Sequence, residues 1–453
     1  MEKNQFRLAD VILSVICVVF VAEAAAPVAS IGNSQYFWWG FMILAFLLPY
    51  GLIAAELGTA YAGDGGLYDW IHAAYPQGKW AARASWYYWI NFPLWMASLA
   101  VMCPELLRDI TGRQMGTIAS LTVQLLFIWI VTLIACYPVC DSIVILNVSA
   151  VIKILLALLV GGLGVWYISR YGFVNDMSAR TFLPSFDLTS LSYISVIIFN
   201  FLGFEVVCTF AGSMSEPKKQ IPQSIVTGGI VIAAIYLFSA FGIGAAVDVR
   251  EISVDSGLID AVSLILGADG GVLVGVVALL FLVTLFGNMI SWSMGVNSTA
   301  ALAADHNDMP RVFAKRWAKN NMPVGSAVAS GVCILGVLIE MVTPDSSLFW
   351  SFFALNLVML LLSYLPVFPA FLKLRRVDAK TPRPFRVPGS DAALRCIAYV
   401  PMALIIISII FTAVPLSFDE ETLKSFLPIT IGTILSAAIG EVLIALRGKT
   451  ARS

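Results

Sequence analysis

Apolar runs of about 20 residues recur along the whole chain, and each is long enough to cross the roughly 30 Å hydrocarbon core of a bilayer as an α-helix. Hydrophobic residues make up 59% of the 453-residue sequence and charged residues only 12%, whereas a soluble domain carries about 25% charged residues. Backbone groups inside a bilayer must find their hydrogen bonds within the protein, so runs of this length predict helices. The sequence therefore predicts an all-α integral membrane protein.

The apolar runs predict about twelve membrane spans, numbered here in chain order. They lie near residues 9–33, 37–60, 85–107, 116–136, 142–167, 191–213, 224–247, 272–303, 324–342, 347–372, 397–416 and 425–446. The loops between them are too short to hold a separate domain. No cleavable signal peptide is expected, because Glu23 and Pro27 interrupt the first run and no small-residue cleavage site precedes a soluble body.

The basic residues are distributed unevenly between the two sets of loops. With the N-terminus inside, 20 of the 27 Lys and Arg residues fall on the cytoplasmic side and 6 fall outside, and the remaining one is Lys153 within span 5. The positive-inside rule therefore predicts cytoplasmic N- and C-termini, in a cell (inner or plasma) membrane. The net charge of -1 gives no indication of a nucleic-acid partner.

Two spans contain features that interrupt a membrane helix. Span 1 carries Glu23, three alanines and then Pro27, which cannot complete helical hydrogen bonding. Span 6 carries Gly203 two residues before a second carboxylate, Glu205. A charge at this depth costs about 3 kcal/mol by insertion scales, so it normally faces a cavity or a partner. The alternative is that Pro27 only kinks the helix and Glu23 packs against a local partner. It requires two coincidences at corresponding positions of spans 1 and 6.

Interrupted spans at corresponding positions in two halves predict an inverted-repeat transporter with its site near the bilayer midplane. The first repeat is predicted to occupy residues 1–170 with spans 1 to 5, and the second to occupy residues 190–372 with spans 6 to 10. Spans 11 and 12 follow at residues 397–446.

Several motifs in combination resemble the amino acid, polyamine and organocation (APC) transporters. These motifs are an acidic end of span 2 followed by a Gly-Gly-X-Tyr loop (56–70), the span 6 break with its Glu-Pro-Lys tail (203–205 and 214–222), the loop after span 8 (304–315) and the loop before span 11 (383–389). The resemblance runs from about residue 8 to about residue 446. It implies a five-plus-five inverted repeat, like that of the sodium-coupled leucine transporter, followed by two more helices.

The resemblance also implies that substrate binds between the unwound middles of spans 1 and 6. The matching positions are Ala22, Glu23, Ala24, Ala25, Ala26, Phe199, Asn200, Phe201, Leu202, Gly203 and Glu205. Many amino acid carriers of the family have a Gly-Ser-Gly type sequence in span 1, whereas this chain has Glu23 followed by alanines. A carboxylate there repels an anionic group and attracts a cation. The sequence therefore favours a cationic amine, with a neutral amino acid permease or exchanger as the alternative.

Coupling and gating are predicted for four residues. Lys153 is too deep to reach the interface, so it needs an internal partner or must lose its proton. The resemblance implies that it replaces the ion of sodium-coupled relatives and bridges spans 1 and 8, although a permanently charged structural tether is equally open. It also implies that Glu205 senses protons. Phe199 and Trp292 are predicted gates, with simple packing as the alternative.

Taken together, these features predict a secondary active transporter, either permease or antiporter, for amino acids or related amines and polyamines. Sodium-independent transport is expected, and proton linkage is left open. A channel or sensor of the same fold is the remaining alternative. No Walker sequence and no catalytic constellation is visible, so neither an ATP-driven pump nor an enzyme is expected. The predicted partners are the small-molecule substrate and lipid, with protons left open and no metal or cofactor, in a monomer or homodimer.

Overall fold

The computed structural model describes residues 6–21, 27–252, 257–267, 271–342 and 347–450. Within these ranges the regular structure is helical, apart from one parallel bridge between Phe6 and Met214. The first half contains α1 (Leu8–Val19), α2 (Ser34–Met42), α3 (Leu48–Ala60), α4 (Leu67–Ala74), α5 (Trp80–Thr111), α6 (Thr117–Ala135) and α7 (Val139–Tyr171). A 3₁₀ turn, Pro27–Ile31, precedes α2, and a π-helical turn, Ile43–Leu47, joins α2 to α3.

The remainder of the chain continues the same pattern of long helices and short loops. It contains α8 (Leu188–Phe199), α9 (Phe204–Cys208), α10 (Pro217–Ala246), α11 (Gly257–Leu266), α12 (Gly271–Asp305), α13 (Val324–Ala329), α14 (Ile334–Val342), α15 (Ser347–Tyr364), α16 (Val367–Val377), α17 (Asp391–Ala413) and α18 (Glu420–Thr450). The short helices α4 and α11 lie between predicted spans, after spans 2 and 7.

In the described part of the chain, nine helical stretches are long and apolar enough to cross a membrane. Three shorter apolar segments, Leu8–Val19, Tyr193–Cys208 and Val324–Ile339, coincide with predicted spans 1, 6 and 9. The prediction of an all-α membrane protein with about twelve spans is therefore confirmed.

Small residues allow the central helices to approach closely. A β-carbon on Gly164 of α7 would lie 2.3 Å from the Cα atom of Gly242 in α10, so the two backbones are in direct contact there. Helices inside a bilayer associate through such close packing because lipid is as apolar as their side chains. The α7–α10 pair in turn packs against α1, which brings spans 1, 5 and 7 together.

Three charged side chains in the described residues have 0% exposure: Glu56, Lys153 and Glu205. Buried charges need partners inside the bundle. Lys153 and Glu205 lie beside the interrupted spans, whereas Glu56 lies at the far end of span 2. The first two define the candidate functional site.

Candidate functional site

Span 6 is broken where the sequence predicts. Helix α8 ends at Phe199 and α9 begins at Phe204, and residues 200–203 between them are not helical. Gly203 has φ +120°, a conformation that L side chains rarely adopt. A β-carbon there would also lie 2.8 Å from Cγ1 of Val18 and 3.1 Å from Cζ2 of Trp292. Backbone conformation and close packing therefore both require glycine at this position.

Span 1 is interrupted after α1 ends at Val19, and a 3₁₀ turn from Pro27 to Ile31 follows before α2. The predicted substrate residues Ala22, Glu23, Ala24, Ala25 and Ala26 lie outside the described residues. The end of α1 lies within the described residues. Because a helix end leaves its last carbonyl groups without intrahelical partners, those carbonyls become available to other side chains.

Lys153 donates hydrogen bonds to two carbonyl groups at the end of α1. Its Nζ atom donates to the carbonyl oxygen of Cys17 at 2.6 Å and to that of Phe20. It also donates to Oδ1 of Asn288, in α12, at 3.0 Å. The ammonium group therefore connects the broken end of span 1 with span 8. An ammonium coordinated by carbonyl oxygens presents the same positive charge to these helices that a bound metal cation would.

The two residues predicted as gates lie in one aromatic cluster. Nε1 of Trp292 donates to the carbonyl oxygen of Val18 at 2.9 Å, again at the end of α1. The Trp95 ring lies between the two, with centroids 5.5 Å from Trp292 and 5.1 Å from Phe199. Phe199 also meets Phe353 edge-on at 5.2 Å. The aromatic rings close the space beside both helix breaks, and a gating role stays a prediction.

Phe201 points to a second aromatic cluster. Its ring centroid lies 5.6 Å from that of Trp39 and 5.9 Å from that of Tyr236. The Tyr236 hydroxyl accepts a hydrogen bond from the backbone N–H of Val21 at 2.8 Å, just before the span 1 interruption. Asn200 and Leu202 are completely buried in the span 6 break. Aromatic side chains with one polar end thus line both breaks.

Glu205, in the first turn of α9, is held by tyrosines from two other spans. Its Oε1 atom accepts a hydrogen bond from the Tyr88 hydroxyl at 2.6 Å, and its Oε2 atom accepts one from the Tyr50 hydroxyl. The ring of Tyr364 packs edge-on against both tyrosines, at 5.6 Å from Tyr50 and 6.4 Å from Tyr88. None of the ion pairs between described residues includes Glu205. A buried carboxylate with hydroxyl donors alone can take up a proton or face a cation.

Sequence reasoning missed the three tyrosines around Glu205. Each lies in a different apolar span, Tyr50 in span 2, Tyr88 in span 3 and Tyr364 in span 10. A tyrosine deep in a membrane span carries a hydroxyl that needs a partner, and this signal could have identified them as candidates. The carboxylate that each tyrosine contacts depends on how the helices pack, so the pairing cannot be predicted from the sequence pattern.

Comparison with known proteins places the chain among transporters. It matches the protein family described as amino acid permease over residues 5–438. It is 59% identical over 443 residues to a protein of Lactococcus lactis subsp. lactis (strain IL1403) named probable agmatine/putrescine antiporter AguD, and the alignment covers 98% of this chain and 95% of that protein. It is 25% identical to the polyamine transporter RMV1 of Arabidopsis thaliana, with coverage of 89% and 78% respectively.

A solved structure shares the fold. The crystal structure of MhsT in complex with L-phenylalanine is similar with a TM-score of 0.61 and 16% identity, covering 91% of this chain and 99% of that chain. At this identity the similarity shows the fold alone, and it confirms the predicted leucine-transporter-like architecture. The family match spans nearly the whole sequence. The chain therefore belongs to the amino acid permease family of the APC superfamily.

Proposed function

We propose that this chain is a secondary antiporter that exchanges cationic amines of the agmatine and putrescine type by alternating access. The observation that carries the proposal is Glu205, a completely buried carboxylate beside the span 6 break whose described partners are tyrosine hydroxyls. A second carboxylate, Glu23, lies in the corresponding interruption of span 1. The similarity to the agmatine/putrescine antiporter supports the same substrate class.

Two acidic positions suit a substrate with a positive group at each end. A carboxylate in a low-dielectric site attracts an ammonium or guanidinium group strongly, and guanidinium binds it through two parallel hydrogen bonds. In the absence of substrate, two carboxylates near one site favour protonation of one of them. Protons and amine would then compete for the same groups, so this proposal includes a pH-dependent transport rate without a separate proton path.

In this proposal Lys153 supplies the fixed positive charge that a sodium ion supplies in coupled relatives. Its contacts with α1 and α12 support that role. Transport would then be independent of sodium. The basic loops support an orientation with cytoplasmic N- and C-termini in a cell membrane. The proposal leaves the protein as a monomer or homodimer.

The direct test is counterflow in proteoliposomes that contain the purified protein. Vesicles loaded with putrescine are expected to accumulate labelled agmatine, and vesicles loaded with buffer are expected to accumulate little. An outward or inward sodium gradient should leave the rate unchanged. Leucine or phenylalanine inside the vesicles serves as the control load. Equal uptake with a neutral amino acid load would contradict the proposal and favour the neutral amino acid exchanger.

A further inference from the structure

The loop between α16 and α17 contains the arginine-rich motif 383–389, which the transport site does not use. It borders a cavity of about 290 Å³ at the end of the membrane-spanning stretch Trp350–Val377. Four basic side chains line this cavity together with Thr381: Arg375, Lys380, Arg383 and Arg386. We refer to it as the basic pocket.

Two of these arginines are deeply buried against a single carboxylate. The side chain of Arg375 is 11% exposed, that of Arg383 is 7% exposed and that of Glu56 is completely buried. Nε of Arg375 donates to Oε1 of Glu56 at 2.8 Å, and Nε of Arg383 lies 3.3 Å from the same oxygen. The backbone N–H of Val387 donates to the other oxygen at 2.7 Å. One negative charge therefore faces two buried positive charges.

The other partners of these arginines satisfy hydrogen bonds without cancelling charge. Arg375 donates to the carbonyl oxygen of Val387 at 2.7 Å, and Arg383 donates to those of Thr381 and Leu374, each at 3.0 Å. Backbone carbonyls carry no net charge, so the guanidinium surplus remains. Taking charges out of water without full compensation is costly.

The other charged groups around the pocket are one carboxylate and two cations, so the excess of positive charge becomes larger. Asp378 accepts hydrogen bonds from the hydroxyls of Tyr61 at 2.7 Å and of Thr381, a residue of the pocket lining, at 2.6 Å, which places a second carboxylate beside the pocket. Lys380 and Arg386 are exposed at the mouth of the pocket. None of the ion pairs between described residues includes either of them. Four basic groups thus stand against two acids, in a cavity that an anion could enter.

An apolar groove of about 330 Å³ is lined in part by residues at the start of α16. Its lining includes Trp80, Pro366, Pro369 and Met402. Lys373 lies in α16 two residues before Arg375 of the basic pocket. Its ammonium is 4.1 Å from the ring centroid of Tyr75, which also lines the groove. A ligand with an anionic head and apolar chains would satisfy both surfaces, whereas a soluble anion would use only the pocket.

We propose that the basic pocket binds the phosphate group of an anionic phospholipid whose acyl chains lie along the apolar groove. Guanidinium groups recognise phosphate oxygens through paired hydrogen bonds, and arginines already held in place lose little freedom on binding. Basic pockets beside membrane helices are suited to acidic head groups. The bound lipid would neutralise the surplus charge and stabilise the α16–α17 loop on the end of span 2. This site does not depend on the identity of the transported amine.

The test compares two double variants of the full-length protein. Lys380→Gln with Arg386→Gln removes the two exposed cations and leaves the buried Glu56 contacts intact. Lys218→Gln with Lys319→Gln removes the same charge from exposed positions elsewhere, in the first turn of α10 and in the loop after α12. Native mass spectrometry then measures how much dioleoylphosphatidylglycerol each protein retains, with dioleoylphosphatidylcholine as the neutral lipid and inorganic phosphate as the soluble anion.

The wild type and the Lys218/Lys319 variant are expected to retain phosphatidylglycerol in preference to phosphatidylcholine. The Lys380/Arg386 variant is expected to bind it at least about tenfold more weakly, since charge-assisted hydrogen bonds are lost. Equal retention by the two double variants would overturn the proposal. Thermal stabilisation by inorganic phosphate, with no advantage of phosphatidylglycerol over phosphatidylcholine, would overturn the lipid assignment.

Discussion

Among single side chains, Lys153 has the clearest link between position and role. Its ammonium donates to two carbonyl groups at the broken end of span 1 and to the amide of Asn288. Lys153→Ala is expected to reduce exchange by at least about a hundredfold, because hydrogen bonds to a charged group are worth roughly 1.5–3 kcal/mol each. Labelled amine uptake by reconstituted protein provides the measurement.

The control for this variant is Ser149→Ala, one helical turn earlier on the same helix and also buried. It should transport at close to the wild-type rate. Size-exclusion profiles of both variants show whether each protein remains folded. Normal exchange by Lys153→Ala would refute the role of the lysine, and stimulation of wild-type uptake by sodium would count against its role as a sodium substitute.

Glu205 is the residue on which substrate charge and proton are expected to meet. Glu205→Gln retains a hydrogen-bonding group but removes the negative charge, so agmatine affinity is expected to fall about ten- to a hundredfold. The pH dependence of transport between about pH 5 and 8 should flatten, since the titrating group is gone. Tyr88→Phe is the matched control, because it removes one hydroxyl donor and keeps the charge.

If Glu205→Gln bound agmatine as tightly as the wild type does, the proposal that the Glu205 carboxylate binds the substrate cation would be contradicted. The same measurement applies to Glu23→Gln, for which the sequence predicts a larger loss for amines than for neutral amino acids. Comparing the two variants separates the contributions of spans 1 and 6 to substrate charge.

At the scale of elements, the short helix α4 connects the loop after span 2 with the end of α12. The Tyr68 hydroxyl donates to Oδ2 of Asp308 at 2.9 Å. Asp69 accepts a hydrogen bond from the backbone N–H of Gly65 at 3.0 Å, which holds the glycine loop at the start of the helix. Burial raises the pKa of Asp69 to about 6, and the Gly65 hydrogen bond opposes this rise in part.

The raised pKa of Asp69 gives a signed prediction for stability. The folded protein binds this proton more tightly than the unfolded chain. Asp69 therefore contributes most to the free energy of unfolding at low pH, and this contribution is lost as the pH rises from about 4 to about 6. In Asp69→Asn the melting temperature is expected to change less across that window than in the wild type. Asp391→Asn, at an exposed position, is the control. An unchanged pH profile in Asp69→Asn would contradict the assignment.

At the scale of the whole molecule, the proposed exchange has a consequence for energetics. Agmatine and putrescine each carry two positive charges near neutral pH, because guanidinium and primary amine groups have pKa values above about 10. One-for-one exchange then moves no net charge, whereas moving one uncompensated charge is worth about 2.3 kcal/mol per 100 mV. Imposing a potassium diffusion potential with valinomycin should leave the counterflow rate unchanged. A rate that follows the imposed potential would instead indicate uniport of the charged amine.

The sequence by itself determined the membrane architecture and the interrupted spans. Long apolar runs have no other stable form in a bilayer, and a glycine two residues before a carboxylate at mid-span is a local signal for a helix break, as the break at residues 200–203 confirms. The boundaries of the two repeats and the roles of the residues in the breaks stay predictions from the same patterns.

Only the tertiary structure decided which groups meet. Tyr50 and Glu205 are 155 positions apart, Lys153 and Asn288 are 135 apart, and Arg375 and Glu56 are 319 apart. No local pattern encodes such pairs, because they depend on the rotation and register of packed helices. The bilayer fixes the depth of each span, whereas side-chain packing between helices fixes the partners of every buried charge.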